Sequence, residues 1–255
     1  MDNLSRIVPV LLQGLPPTVI AAVGGIALTI VLSFGAGLAL LSPRRWVRAV
    51  SRVYVEGFRG TSEVVQLFWI YFVLPVLVGV QLVPLFAGIV VLGLNHGAYG
   101  AEIVRGAVLS VPRAQYEGCI ALNLSPAQRM WRVILPQAVV EMLPSFNNLF
   151  IQLLKSTAIL SFITVADVTQ QGVQVLVPNF GDDIVLIFTL MLLIYLVLSV
   201  LITAAMRFAE RVAARKVGRR PSRAARAAAI GAHSCRSGTG ATRSRCCRSC
   251  SGRCW

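Results

Sequence analysis

Long uncharged runs alternate with short polar stretches along most of the chain. No charged side chain stands between Arg6 and Arg44, and Thr18–Leu41 reads as a first membrane span. A crossing helix needs about 20 mostly apolar residues. The uncharged window from Glu63 to Glu102 is too long for one, and Pro75 and Pro84 interrupt it. It predicts two spans, Thr61–Val80 and Val83–Leu109, joined by a turn around Gly79–Pro84. A fourth apolar region, Gln137–Val165, is broken by Lys155-Ser156-Thr157, and the fifth, Ile184–Met206, is clean. The expectation is an all-α integral membrane fold of five transmembrane helices. Leu4–Gln13 is mildly amphipathic, either lying flat at the interface or extending the first span. The chain therefore divides into an N-terminal interfacial segment (1–14), a transmembrane domain (15–208) and a tail (209–255).

Composition agrees with that pattern. Of 255 residues, 56% are hydrophobic and 13% charged, against about 25% charged in soluble domains. An ordinary soluble enzyme is excluded. The formal charge of +14 is concentrated at one end: 11 Lys+Arg face 9 Asp+Glu up to Met206, and 13 face 1 from Arg207 onward. A nucleic-acid-binding surface is therefore not expected. Arg44, Arg45, Arg48 and Arg52 follow the first span, Arg113, Arg129 and Arg132 the third, and Arg207, Arg211, Arg215 and Lys216 the fifth. The alternate loops, around Gly79–Pro84 and Asp167–Asp183, hold neither Lys nor Arg. The positive-inside rule then puts the N-terminus outside and the C-terminus in the cytoplasm. Without a basic n-region there is no cleavable signal peptide, so the first span does the targeting.

The tail is rich in Arg, Ser, Ala, Gly and Cys and predicts disorder. A polybasic segment could bind lipid headgroups, and its five cysteines could bind metal or switch with redox state. Their spacing, Cys246-Cys247, Cys250 and Cys254, matches no paired zinc pattern. The composition equally fits translation past a stop codon or in a shifted frame. Cys119 is the only cysteine of the body.

Between the third and fourth spans, residues 111–136 predict a helix–turn–helix. Pro112 suits a first turn, Arg113–Leu122 can run helical, and Asn123 suits a left-handed cap. Ser125-Pro126-Ala127-Gln128 has the form of a capping box with proline at the first position. The second helix is expected to stop near Leu135, before Pro136.

Glu117-Gly118-Cys119, Leu122-Asn123-Leu124-Ser125 and Ile134-Leu135-Pro136 together resemble the EAA motif of binding-protein-dependent ABC importer permeases. The similarity spans most of residues 11–208. It includes Leu11-Leu-Gln-Gly-Leu-Pro-Pro-Thr18, Tyr54-Val-Glu-Gly-Phe-Arg-Gly-Thr61, residues 93–106 (Gly-Leu-Asn-His-Gly-Ala-Tyr-Gly-Ala-Glu-Ile-Val-Arg-Gly) and Leu154-Lys-Ser-Thr157. These resemble the polar amino acid uptake branch. EAA reads Glu-Gly-Cys here, and Asn123 replaces the usual loop glycine. Ala121–Ser125 and Arg132–Gln137 are further similar to ectoine and hydroxyectoine permeases. The resemblance implies an inner-membrane subunit for one of these solutes, or alternatively for a polar amino acid such as glutamine or histidine. It implies a coupling loop (Arg113, Glu117, Gly118, Cys119, Asn123, Ser125, Pro126, Leu135, Pro136) docked on an ABC ATPase dimer. The other implied partners are an extracytoplasmic solute-binding protein and a second permease subunit, homologue or self, in membrane lipid.

Polar residues inside spans usually face a cavity or a partner. The candidates for a gate or permeation path are Asn95, His96, Glu102, Arg105, Asn147, Lys155, Ser156 and Thr157. Lys155-Ser156-Thr157 implies a broken helix, tolerated where it lines a cavity; snorkelling or an ion pair is the plainer reading of Lys155. Glu102 and Arg105, three apart, can pair with each other. Glu63 and Arg59 are expected where the second span meets the cytoplasm, and Asp167, Asp182 and Asp183 on the outer side, solvated or meeting the binding protein. The chain lacks a G-x-x-x-x-G-K-[ST] loop, so ATP is expected on the partner and no cofactor here. H-E-x-x-H and G-x-S-x-G are also missing, which disfavours a membrane-embedded enzyme.

Overall fold

The computed structural model describes residues 2–79, 81–179 and 183–217. Val80, Asp182 and residues 218–255, with all five tail cysteines, lie outside them, whereas 209–217 of the expected tail continue the last helix. Met1–Ala213 forms one unit; Ala214–Trp255 forms a second, of which only the end of the last helix is described. The described residues are almost wholly helical. In order they are α1 (Asp2–Gln13), α2 (Leu15–Leu40), α3 (Arg45–Gly60), α4 (Glu63–Val78), α5 (Pro84–Leu109), α6 (Arg113–Ala121), α7 (Pro126–Ile163), α8 (168–179) and α9 (Ile184–Val217).

Helix α5 is the axis of the unit, with 14 of its 26 residues buried. It lies parallel to α2, as two helices joined by one return pass must. Small residues set the approach. A Cβ on Gly93 would meet Leu28, one on Gly97 would meet Leu32, and one on Gly37 would lie 2.7 Å from Val104 Cβ. Gly93 and Gly97 form the Gly-x-x-x-Gly spacing that lets helix backbones approach closely. Toward the Leu109 end, α7 covers α5 through Ile134, Ala138, Met142 and Phe146. Toward the Pro84 end, Leu67 of α4 and Leu160 and Ile163 of α7 cover Val91 and Leu92. Helix α1 packs Ile7 and Leu11 against Val168 and Leu176 of α8 and Ile187 of α9.

Three helices among the described residues are long and apolar enough to cross a membrane: Ser5–Leu40, Pro126–Ile163 and Ile184–Ala213. Helices α3 and α4 bend by 107° and make a fourth if counted together. Helix α5, the expected third span, is long enough but falls outside that set. Being surrounded by protein, it can carry glycines, Asn95, His96, Glu102 and Arg105 in place of lipid-facing bulk.

Two expectations fail on the break in the second span and on the stop at Pro136. The chain reaches Thr61 through a separate amphipathic helix, α3, so Thr61–Val80 is only the second limb of a bent pair. Nor does the helix end near Leu135: it runs unbroken from Pro126 to Ile163. A π turn over Arg129–Ile134 precedes Pro136, and the Leu135 N–H donates to the Met130 carbonyl, five residues back. Proline lacks an N–H and crowds the carbonyl four residues earlier; a widened turn makes room for the ring. The same device recurs before Pro75, where Leu74 bonds Trp69, and before Pro178, where Val177 bonds Gly172.

Candidate functional site

The bend between α3 and α4 leaves backbone carbonyls without helical partners, and two amides take them up. Gln66 Nε2 donates to the Phe58 carbonyl at 2.8 Å and to Thr61 Oγ1 at 2.6 Å. Asn95 Nδ2 donates to Gln66 Oε1 at 3.0 Å and reaches the Phe58 carbonyl at 3.3 Å. The Tyr54 hydroxyl ties α3 to the Leu94 carbonyl at 2.7 Å. Helix α3 is thereby fixed with its end halfway along α5.

That anchorage puts Glu63, the first residue of α4, beside His96, the thirteenth of the 26 residues of α5. Helix α7 has its own irregularity at the same place: after Ser156 it tightens into a 3-10 helix, Thr157–Ile163. Ser156 Oγ donates to Glu63 Oε2 at 2.9 Å, joining the two discontinuities across 93 residues of chain. His96 Nδ1 lies 3.1 Å from the Leu92 carbonyl and 3.7 Å from Glu63 Oε1. A carbonyl only accepts, so Nδ1 carries the proton and Nε2 of the neutral ring is an acceptor. Glu63 Oε1 and His96 Nε2 are both buried and have no hydrogen-bond partner among the described residues.

At the far end of α5, α6 closes with a Schellman motif. The Asn123 N–H donates to Ile120 O at 2.9 Å and the Leu124 N–H to Cys119 O at 3.1 Å. Asn123 has φ of 52°, the left-handed geometry its sequence position suggested. The capping box at Ser125 is formed on both sides: Gln128 N–H to Ser125 Oγ at 3.3 Å, and Ser125 N–H to Gln128 Oε1 at 3.1 Å. Cys119 is buried, whereas Glu117, Gly118, Ile120 and Leu122 are exposed, Leu122 by 74%. Burial raises the Tyr116 phenol above its ordinary pKa, and Arg129 partly offsets the rise.

Residues 29–215 match the family described as binding-protein-dependent transport system inner membrane component. The chain belongs to that family. It is 45% identical over 195 residues to the probable amino-acid ABC transporter permease protein y4tF of Sinorhizobium fredii, covering 74% of this chain and 81% of that one. It is 35% identical to the glutamine transport system permease protein GlnP of Escherichia coli, covering 80% and 93%. The solved structure of an amino acid ABC transporter with histidines superimposes with a TM-score of 0.74 at 28% identity, covering 82% and 96%. The protein is thus a multi-pass inner-membrane permease, and permeases are transport subunits, not enzymes.

Not every polar residue singled out in this permease reaches the cluster. His96 and Ser156 do, and Asn95 adjoins it, but the Asn95 amide is used in bracing the bend. Glu102 and Arg105 are about 9 and about 14 Å further along α5 than His96 and pair with each other, Nη2 to Oε2 at 2.7 Å. Lys155 is exposed and makes no ion pair with Glu63 among the described residues. Thr157 Oγ1 turns back to the Leu154 carbonyl at 2.7 Å. Asn147 is on α7, its Oδ1 buried and without a hydrogen-bond partner among the described residues. Glu63 and Arg59 lie beside the middle of α5: Glu63 is next to His96, and Arg59 lies over the Tyr99 ring, 5.2 Å from its centre. Asp167 is fully buried, not a solvated loop charge. Its Oδ1 caps α8 by accepting from the Gln170 N–H at 2.9 Å.

Sequence reasoning missed Glu63 as a member of the site. The signal was present in the 16 residues from Arg45 to Gly60, whose pattern supports a separate helix. At 1.5 Å per residue such a helix carries the chain about 24 Å before Glu63 begins the next.

Proposed function

We propose that this permease passes a polar amino acid inward through an ABC importer, powered by ATP hydrolysis on a partner subunit. The observation that carries the reading is the hydrogen bond between Glu63 and Ser156, which ties the start of α4, just after the bend, to the point where α7 tightens into a 3-10 helix, beside the middle of α5. Irregular backbone inside a membrane protein is tolerated where it lines a cavity. The proposed topology has five spans, α2, the α3–α4 pair, α5, α7 and α9, with the N-terminus outside and the C-terminus inside. Residues 1–14 form an interfacial segment, 15–208 the transmembrane domain and 209–255 the tail.

The exposed residues of α6 and the start of α7 are the coupling surface for the ATPase dimer. Arg113, Glu117, Gly118, Asn123, Ser125 and Pro126 belong to it; Cys119 supports it from within, and Leu135 and Pro136 continue it into α7. Closure of the ATPase on ATP moves this surface as a rigid piece and opens the path toward a solute-binding protein outside. The permease acts as one of two such subunits, paired with itself or a homologue. His96, Ser156 and Thr157 flank the path at mid-height, with Asn95, Asn147, Lys155, Glu102 and Arg105 along or beside it.

Ectoine, suggested by residues 121–125 and 132–137, gives way to an amino acid because the glutamine permease and the histidine-bearing transporter cover most of the chain. The test is uptake of labelled L-glutamine and L-histidine into proteoliposomes holding permease, ATPase and binding protein. ATP-dependent uptake of either, uncompeted by ectoine, is expected. Uptake of ectoine alone would overturn the choice of solute.

A further inference from the structure

Glu63 Oε1 and His96 Nε2 are buried where the start of α4 packs beside α5 and α7, and neither has a hydrogen-bond partner among the described residues. The other polar groups nearby are already engaged. Gln66 and Asn95 spend their amides on the bend, Thr157 bonds its own helix, and the Ser156 hydroxyl goes to Glu63 Oε2. The one basic side chain beside Glu63 is His96, whose Nδ1 lies 3.7 Å from Oε1 but is turned to the Leu92 carbonyl at 3.1 Å; no Lys or Arg pairs with Glu63 among the described residues. Arg59 is held over Tyr99, Arg105 is paired with Glu102, and Lys155 is exposed. A carboxylate without a cation is costly in a membrane interior. A partner that suits Glu63 Oε1 is rich in N–H donors and positively charged.

We infer that Glu63 receives the ammonium group of the travelling amino acid through Oε1 while Oε2 stays bonded to Ser156. The assignment rests on the proposed function and gives it a specificity-determining residue. An ammonium has three donors and brings Glu63 Oε1 both an N–H and a positive charge. The hydrogen bond from Ser156 holds the carboxylate, so the bend before α4 and the tightening of α7 after Ser156 together position the acceptor. A solute without a cationic group gains nothing from this arrangement and leaves the carboxylate unpaired.

The experiment measures L-glutamine carried per ATP hydrolysed in proteoliposomes containing the whole complex. Glu63→Gln keeps the shape and the bond to Ser156 but removes the charge; the ratio is expected to fall at least five-fold. Glu63→Asp restores charge on a shorter side chain and should recover part of the ratio while raising KM for L-glutamine at least three-fold. A smaller fall in E63Q, or E63D no better than E63Q, overturns the inference alone if the wild-type complex transports. If E63Q does not reach the membrane, E63D decides, and an unchanged KM overturns the inference. A wild-type complex that carries neither L-glutamine nor L-histidine overturns the proposed function and this inference with it.

Discussion

Single residues at the two ends of this bundle have measurable consequences. Asn123 holds φ of 52°, so Asn123→Gly should be tolerated. Asn123→Val, β-branched in the left-handed region, should lose the cap and misaim Ser125 two residues later. The expected pattern is normal permease in the membrane, with uptake and substrate-stimulated ATPase falling together in the valine variant only; equal activity in both would refute it. At the other end, Asp167 is fully buried beside the α1–α2 junction, and burial pushes its carboxyl up to about 6 against the pull of N–H donors from Gln170 and Thr169. An unfolded aspartate loses its proton near pH 4. Between those values the folded state holds more protons, so stability falls as pH rises from about 4 to about 6. Asp167→Asn keeps a good helix cap and removes that titration. Thermal unfolding in detergent should show a wild-type midpoint dropping across this range and a flat, higher profile above pH 6 in the variant. Parallel profiles would show that Asp167 does not titrate there.

At the scale of elements, close approach of α2 to α5 gives a paired prediction. A Cβ at Gly37 would lie 2.7 Å from Val104 Cβ and 2.9 Å from the Ala101 carbonyl, whereas one at Gly35 meets nothing within 4 Å. Gly37→Ala should destabilise by about 1–3 kcal/mol through overpacking, and Gly35→Ala should be neutral or stabilise by roughly 0.5–1 kcal/mol. Unfolding midpoints of the two variants check the sign of each. What could be foreseen among the elements follows a physical division. Caps are local, so the turn at Asn123 and the box at Ser125 were readable from four or five residues. Proline was misread at Pro136 because its cost depends on whether the preceding turn can widen, and the π turns before Pro75, Pro136 and Pro178 leave no mark in residue type. Hydropathy found the apolar stretches but not the 107° bend after α3, and so gave no sign that Glu63 packs beside His96 at the middle of α5. Only the packing of α3 against α5, through Tyr54 and Asn95, determines that placement.

For the whole molecule, the family match ends at residue 215, close to the point where the charge balance changes. Up to Met206 the chain is nearly neutral, and most of its surplus of Lys and Arg lies beyond. Two explanations for that surplus make different predictions. If the basic tail anchors the protein, removing it should lower uptake or membrane level. If the positive charges immediately after the last span are sufficient, Arg207 and Arg211 hold that end inside, and the remainder is dispensable. The second is expected, because the rule weighs charges within about 15–20 residues of a span end and the matched family region already contains them. Ending the chain after Arg215 should keep membrane level and L-glutamine uptake within two-fold of wild type. Reversing Arg207, Arg211 and Arg215 to Glu in the full chain should instead lower the correctly oriented fraction, read by protease access to a C-terminal tag. Normal amounts of a truncated permease with lost uptake would mean the tail acts in transport itself, and the two explanations would have to be reversed.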